Sequence, residues 1–280
     1  MVTEALRLGS VEEIVEAVRD ESRLAIHGDG AHSAWRRPLD PAARPVRIAL
    51  EGVAEFFPDD QVVVVRAGTS IRDLQSALGE RGQCLPLVTG DDVGTVGGKL
   101  SMNLPHRLEA ECGSWRDWVL GMTLVQADGT LAKVGSRAVK NVAGYDLQRV
   151  LIGSRGTLAV VTEVALRTFP VKSLPTPRVA EHGPLDGPIW LQRTLPTSFA
   201  AAVEAAQGLP GYDVPATNTL VRVLPPDRAL PRHPHDWVLR AGCGERNLEI
   251  TDPTMVRLVQ RTKELLDPAG KLNRGELGVV

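Results

Sequence analysis

Glycine recurs at three places where a loop would open: Gly28 with Gly30, Gly94 with Gly97 and Gly98, and Gly153 with Gly156. Any one pair reads equally well as a tight turn that needs positive φ. Three of them point further. Backbone N–H groups in such loops approach an anionic group closely because no Cβ intervenes. The common nucleotide motifs do not account for them. A Walker A loop needs a glycine where Val93 stands and Ser or Thr where Leu100 follows Gly98-Lys99. A Rossmann fingerprint needs a helix directly after the glycines, but Gly28-Asp-Gly30 runs on into Trp35-Arg-Arg-Pro38 without helical periodicity.

The elements around these loops mix both kinds of secondary structure. Ser10 and Glu13 have the spacing of a capping box, and Val11, Ile14, Val15 and Val18 recur at helical intervals, so a helix is expected from Val11 to Arg19. Short apolar runs at 23–27, 46–50 and 61–67 read as strands, the last with four consecutive valines that imply burial on both faces. Thr69-Ser70 caps an expected helix over 71–81. Ala127-Asp-Gly-Thr130 joins strands at 119–126 and 131–134 as a hairpin. A short helix is expected over 146–152, and one long or two consecutive strands over 157–169. The stretch 90–114 reads as long and irregular, the kind of segment that serves as a binding surface.

After Pro170 the texture changes. Pro175, Pro177, Pro184 and Pro188 mark a boundary. Beyond it one helix (198–207), two strands (218–224, 236–241) and a final helix (254–266) are expected. A formal net charge of -2 gives no reason to expect nucleic acid or an anionic membrane as partner, and no apolar run is long enough for a membrane span. The N-terminus has acidic residues and no apolar signal core. The three cysteines, Cys84, Cys112 and Cys243, stand far apart with no CxxC, which argues against a disulfide framework, an iron–sulfur cluster or a structural metal. They read as buried small hydrophobes in a protein of the reducing cytoplasm.

The segments GTVGGKLSMN, CGSWRDWVLGMTLVQADGTL, VKNVAGYDLQRVLIGSRGTLAVVTEVALRTFP and LLDPAGKLNRGEL carry, in that order, a family resemblance. They resemble the FAD-linked oxidases of the vanillyl-alcohol oxidase type, with a PCMH-type FAD-binding domain, and look most like the FAD-binding subunit of bacterial glycolate oxidases. The resemblance implies an α+β fold. A two-lobed FAD-binding domain would occupy 1–170, a small, truncated cap 171–253, and a helix and tail returning to the FAD domain 254–280.

It also implies site residues. Gly28, Asp29, Gly30, Ala31 and His32 match the loop that holds the pyrophosphate of FAD. Thr95, Gly97, Gly98 and Asn103 match a second cofactor-lining loop, and Gly113, Ser114 and Asp117 a third. Lys140, Asn141, Gly144 and Tyr145 match the KNVAGYD signature. Gly153, Gly156, Thr157, Leu158 and Val160 match a strand along the adenosine and ring, and Asn273 an asparagine near the flavin ring. The cofactor would be non-covalent FAD, the substrate a small 2-hydroxy acid, and the partners iron–sulfur and second flavin subunits of a glycolate-oxidase-like complex.

Three departures carry expectations. Asp29 stands where relatives usually have glycine, so either its carboxylate turns away from a pyrophosphate or affinity suffers. Arg274 stands where proline is usual. The cap is short, and its polar candidates for substrate chemistry are Arg222, His233, His235 and Arg240. An arginine would clamp a carboxylate and a histidine would accept the hydroxyl proton; none of them stands out as catalytic.

Overall fold

The computed structural model describes residues 5–88, 90–136, 147–183, 185–231, 236–243, 250 and 252–277. The KNVAGYD signature, with Lys140, Asn141, Gly144 and Tyr145, lies outside the described residues, as do His233 and His235.

Strand β1 (Leu6–Leu8) leads into α1 (Val11–Asp20), where the Ser10 hydroxyl accepts the Glu13 N–H and the Glu13 carboxylate accepts the Ser10 N–H. The expected capping box is therefore present. β2 (Leu24–His27) and β3 (Arg44–Ile48) complete a parallel sheet in the order β1-β3-β2. Ile14, Val18, Leu24 and Val46 form its core with α1.

The second sheet is antiparallel. Its strands are β4 (Val53–Phe57), β5 (Val62–Arg66), β7 (Val119–Val125), β8 (Leu131–Gly135) and β9 (Val160–Arg167), in the order β4-β5-β9-β7-β8. All four valines of β5 are buried. β6 (Gln83–Cys84) pairs instead with β10 (Phe169–Pro170). Helix α2 (Ile71–Gly79) buries Ile71, Leu74 and Leu78 against this sheet, together with Trp115 and Trp118.

The stretch 90–114 is not irregular throughout. It holds α3 (Val96–Met102) and α4 (Glu109–Cys112), and α5 (Trp115–Trp118) follows at once. Thr95 caps α3 through its side chain, and Asn103 ends it at φ 47°. α6 (Leu147–Leu151) precedes the Gly153–Gly156 turn. The expected strand over 157–169 begins only at Val160, because Thr157 is still held in the turn by a bond from its hydroxyl to the Ser154 carbonyl.

A third sheet follows Pro170. It comprises β11 (Ala180–Glu181), β12 (Ile189–Arg193), β13 (Gly211–Val214), β14 (Thr219–Val223) and β15 (Trp237–Ala241), all antiparallel, in the order β11-β13-β14-β12-β15. α7 (Pro196–Ala205) packs on one face through Ala202. The other face carries Leu191, Tyr212, Val221 and Leu239, which pack with Trp35, Leu104, Ala110 and Leu277.

The chain then returns to the first sheet. α8 (Pro253–Leu266) precedes the segment 271–273, where Leu24 N–H donates to Lys271 O, and Asn273 N–H to Leu24 O, extending the parallel sheet beside β2. α8 is not held by an apolar stripe. Met255, Leu258 and Leu265 are exposed, while the Lys263 ammonium is buried and donates to the carbonyls of Thr157 and Leu272 and to Asp267. Of the cysteines, Cys84 is buried, but Cys112 and Cys243 are only half-buried, since each sits at an element end rather than inside a core. Among the described residues no helix is long and apolar enough to cross a membrane.

Candidate functional site

The first and second sheets meet along a cleft of about 320 Å³. Ten of the residues expected to bind the cofactor line it: Gly28, Asp29, Gly30, His32, Thr95, Gly97, Gly98, Gly156, Val160 and Asn273. The loops approach closely where the sequence is glycine. A Cβ at Gly28 would stand 2.4 Å from Thr95 Oγ1, so any side chain there would push the first two loops apart. Gly30, at φ +84°, has nothing within 4 Å of the same position.

The first loop keeps its donors available. Among the described residues, the N–H groups of Gly28, Asp29, Gly30 and His32 have no hydrogen-bond partner, whereas the Asp29 carboxylate accepts the Ala31 N–H at 3.1 Å. The acidic side chain is thus turned back onto its own loop, as its charge requires. The second loop is closed instead: Gly97 N–H donates to Ala67 O at 2.8 Å and Gly98 N–H to Thr95 Oγ1 at 3.1 Å. Its contribution to the cleft is shape and not donors.

The other expected residues among those described stand outside the cleft lining. Ala31 is exposed. Asn103 ends α3 and backs against Gly153. Gly113 sits at φ +78° beside Asp117, whose carboxylate accepts both the N–H and the hydroxyl of Ser114 at 2.8 Å, so this third loop forms the cap of α5. Thr157 is buried under Lys263.

Asn273 is fully engaged with main chain. Its side-chain oxygen accepts the Ile26 N–H, and its amide nitrogen donates to Ile26 O at 3.2 Å and Arg155 O at 2.8 Å. It fastens the C-terminal return to β2 and to the Gly153–Gly156 turn. Each of those elements contributes a wall of the cleft.

Several lining residues carry no motif in the sequence. Ile26, Ile48, Ala67, Met102, Ala159 and Val161 make the walls apolar. Arg36 and Arg155 also line the cleft, and behind them lies Glu276, inaccessible to solvent, with Arg155 Nη1 at 2.7 Å and Arg36 Nε at 3.4 Å. The only trace of Arg155 in the sequence is its place between Gly153 and Gly156, where it adopts φ 56°.

His32 is buried at the cleft wall, and burial, reinforced by the nearby Lys99 ammonium, pushes its pKa down to about 4. Its ring is neutral at ordinary pH. His106 is likewise pushed down to about 4, chiefly by burial.

A second cavity, about 470 Å³, lies between the third sheet and the loop at 90–107, lined by Asp91, Arg107, Glu181 and Tyr212 among others. Arg107 pairs with Asp91 at 3.1 Å and Glu181 at 3.2 Å and lies 4.5 Å over the Tyr212 ring. The two cap arginines are not placed to clamp a ligand. Arg222 is buried, with Nη1 donating to Tyr212 O and Nη2 bonded to Asp213 at 2.8 Å, and Arg240 is buried 4.5 Å over the Trp190 ring.

The cleft suits FAD. It joins apolar walls for aromatic rings to a glycine loop with four unused N–H donors for a diphosphate. Residues 5–135 match the family model described as FAD binding domain. The chain therefore contains a PCMH-type FAD-binding domain, and its cofactor is FAD.

Among similar proteins, the glycolate oxidase subunit GlcE of Escherichia coli (strain K12) is 33% identical over 163 residues, 57% of this chain and 46% of that one. The D-lactate dehydrogenase of Archaeoglobus fulgidus is 36% identical over 116 residues, 41% of this chain and 26% of its own. The glycolate oxidase subunit GlcD of Bacillus subtilis (strain 168) is 31% identical over 122 residues, 43% of this chain and 26% of its own. The matched region thus spans less than half the length of each of these relatives. A solved structure of alkyldihydroxyacetonephosphate synthase shares the fold at TM-score 0.50 and 16% identity, covering 71% of this chain and 35% of that one.

Proposed function

We propose that this chain is the FAD-binding component of a 2-hydroxy-acid dehydrogenase of the glycolate oxidase type, passing electrons to a partner subunit. The observation that carries it is the cleft itself, apolar walls beside a glycine loop with unused N–H donors, in a chain similar to two glycolate oxidase subunits and a D-lactate dehydrogenase. FAD bound there supplies a hydride acceptor for the α-carbon of the acid. The chain's own part is to hold the diphosphate on the Gly28–His32 loop, to enclose the rings between Ile26, Ile48, Met102 and Val160, and to fix the cleft walls through Asn273.

In this proposal, 1–170 form the FAD domain, 171–253 a reduced cap and 254–280 the returning tail. The parallel sheet, the antiparallel sheet and the cap sheet support that division. The cysteines at 84, 112 and 243 form no cluster motif, so an onward electron path calls for an iron–sulfur subunit and a second flavin subunit. A cytoplasmic location belongs to the same proposal and rests on cysteine usage.

A second reading, a non-catalytic FAD-binding subunit of an oxidoreductase complex, is favoured by one observation. Arg222 and Arg240, the cap residues suited to a substrate carboxylate, are engaged inside the cap sheet. Anaerobic addition of glycolate or D-lactate to the FAD-loaded chain separates the two. Bleaching of the flavin absorbance by the acid supports the catalytic component. An unchanged spectrum that bleaches only with a partner subunit present supports the second reading.

A further inference from the structure

Arg155 lies on the cleft wall with its guanidinium divided in two. One corner is tied: Nη1 donates to Glu276 Oε1 at 2.7 Å and to Trp35 O at 3.1 Å. The opposite edge, Nε with Nη2, carries no hydrogen bond among the described residues, and neither atom is sealed from solvent. That edge is the parallel donor pair with which an arginine takes a carboxylate bidentately. The residue as a whole is only 4% exposed, so donors left unused there are costly.

The charge around it favours an anion. Arg36 also lines the cleft, with Nη1 donating to Ile26 O at 2.9 Å and Nε 3.4 Å from the other Glu276 oxygen. Two guanidiniums thus share one carboxylate that solvent does not reach, which leaves a surplus of positive charge at the wall.

The group stands where the cleft meets the cap. Trp35, whose carbonyl holds Arg155, and Leu277, next to Glu276, both pack with Leu191 and Tyr212 of the cap sheet. The turn Ser33–Trp35 is bonded to the cap as well, Gly242 N–H donating to Ala34 O at 2.7 Å. A diphosphate has its own donors in the Gly28–His32 loop, and the cap arginines Arg222 and Arg240 are engaged within their sheet. The unused arginine edge at the cap end of the cleft fits the carboxylate of a small acid.

We infer that Arg155, backed by Arg36, is the clamp for the substrate carboxylate. Glu276 is a positioning residue that orients the guanidinium and tempers its charge. The inference rests on the 2-hydroxy-acid reading and adds to it the side chain that recognises the acid.

The test titrates the FAD-loaded full chain with oxalate, a carboxylate with no hydride to give, and reads the bound-flavin spectrum. Arg155→Lys keeps the charge and loses the two-pronged edge, so oxalate should bind about tenfold more weakly or worse, with FAD affinity by fluorescence quenching unchanged. Glu276→Gln removes the opposing charge and should bind oxalate at least as tightly as the wild type. A merely structural ion pair would suffer from either change, so equal weakening in both variants overturns the inference. So does wild-type oxalate affinity in Arg155→Lys, or a loss confined to FAD, which would give the cation to the diphosphate.

If Arg155→Lys loses its circular-dichroism spectrum, Arg155→Met combined with Glu276→Gln removes the pair whole and carries the same expectations for oxalate and FAD. A chain that binds oxalate through Arg155 but is bleached by no 2-hydroxy acid sinks the catalytic proposal alone. Bleaching by an acid together with oxalate binding indifferent to Arg155 sinks the clamp alone.

Discussion

At the scale of single residues, the cleft depends on side chains whose importance comes from long-range contacts. Asn273 was expected near a flavin ring, and the structure shows it saturating the main chain of Ile26 and Arg155. Asn273→Ala strands buried backbone groups and is expected to cost about 2–4 kcal/mol in urea denaturation. Asn273→Asp, which cannot donate to two carbonyls, should be as damaging; a loss under about 0.5 kcal/mol for both would contradict the clamp. The buried imidazoles make a pH prediction. His32 and His106 are held near 4 in the folded chain, below the unfolded value near 6.5, so the unfolded chain takes up their protons first. Their contribution is complete above pH 6.5 and is lost as pH falls toward 4, by roughly 3 kcal/mol per ring at most. Denaturation curves across that range should show the fall, and His106→Gln should remove about half of its slope; an unchanged slope would contradict it. The glycine loops and Asn273 were visible in the sequence as motifs. Arg155 and Glu276 were not, because a buried ion pair becomes visible only when distant segments meet.

At the scale of elements, legibility followed the regularity of the pattern. The capping box of α1, the valines of β5, the apolar face of α2 and the β7–β8 hairpin all showed in the sequence because each is locally complete. Ser10→Ala removes one half of that box and should cost about 1 kcal/mol of stability, read by thermal denaturation; no shift in midpoint would contradict the cap's role. Elements that were missed break their own pattern. α3 is short and contains Gly97 and Gly98, which read as loop, and β4 has a register shift between Val53 and Glu55 that spoils alternation. β12 and β13 bury Gln192 and Asp213, which are satisfied across the cap by Asp236 and Arg222 respectively. A polar residue inside a strand is indistinguishable from a loop residue until its partner is in place.

At the scale of the whole molecule, a parallel sheet and an antiparallel sheet enclose the cleft, the cap sheet packs over Trp35 and Leu104, and the C-terminal return closes the structure beside β2. The resemblance in the sequence conveyed this plan through the glycine loops and the C-terminal segment. It did not convey the cap's interior, where the short segment after Pro170 had few motifs to compare. The central claim is that FAD sits in the cleft between Gly28–His32 and Val160. The most direct test is an FAD titration of the wild-type chain and of Val161→Trp, whose indole would project from a half-buried position on the cleft wall into the space for the rings. The account predicts that Val161→Trp keeps its circular-dichroism spectrum and binds FAD at least about tenfold more weakly, the loss of more than about 1.4 kcal/mol. A folded Val161→Trp with wild-type affinity for FAD would contradict it.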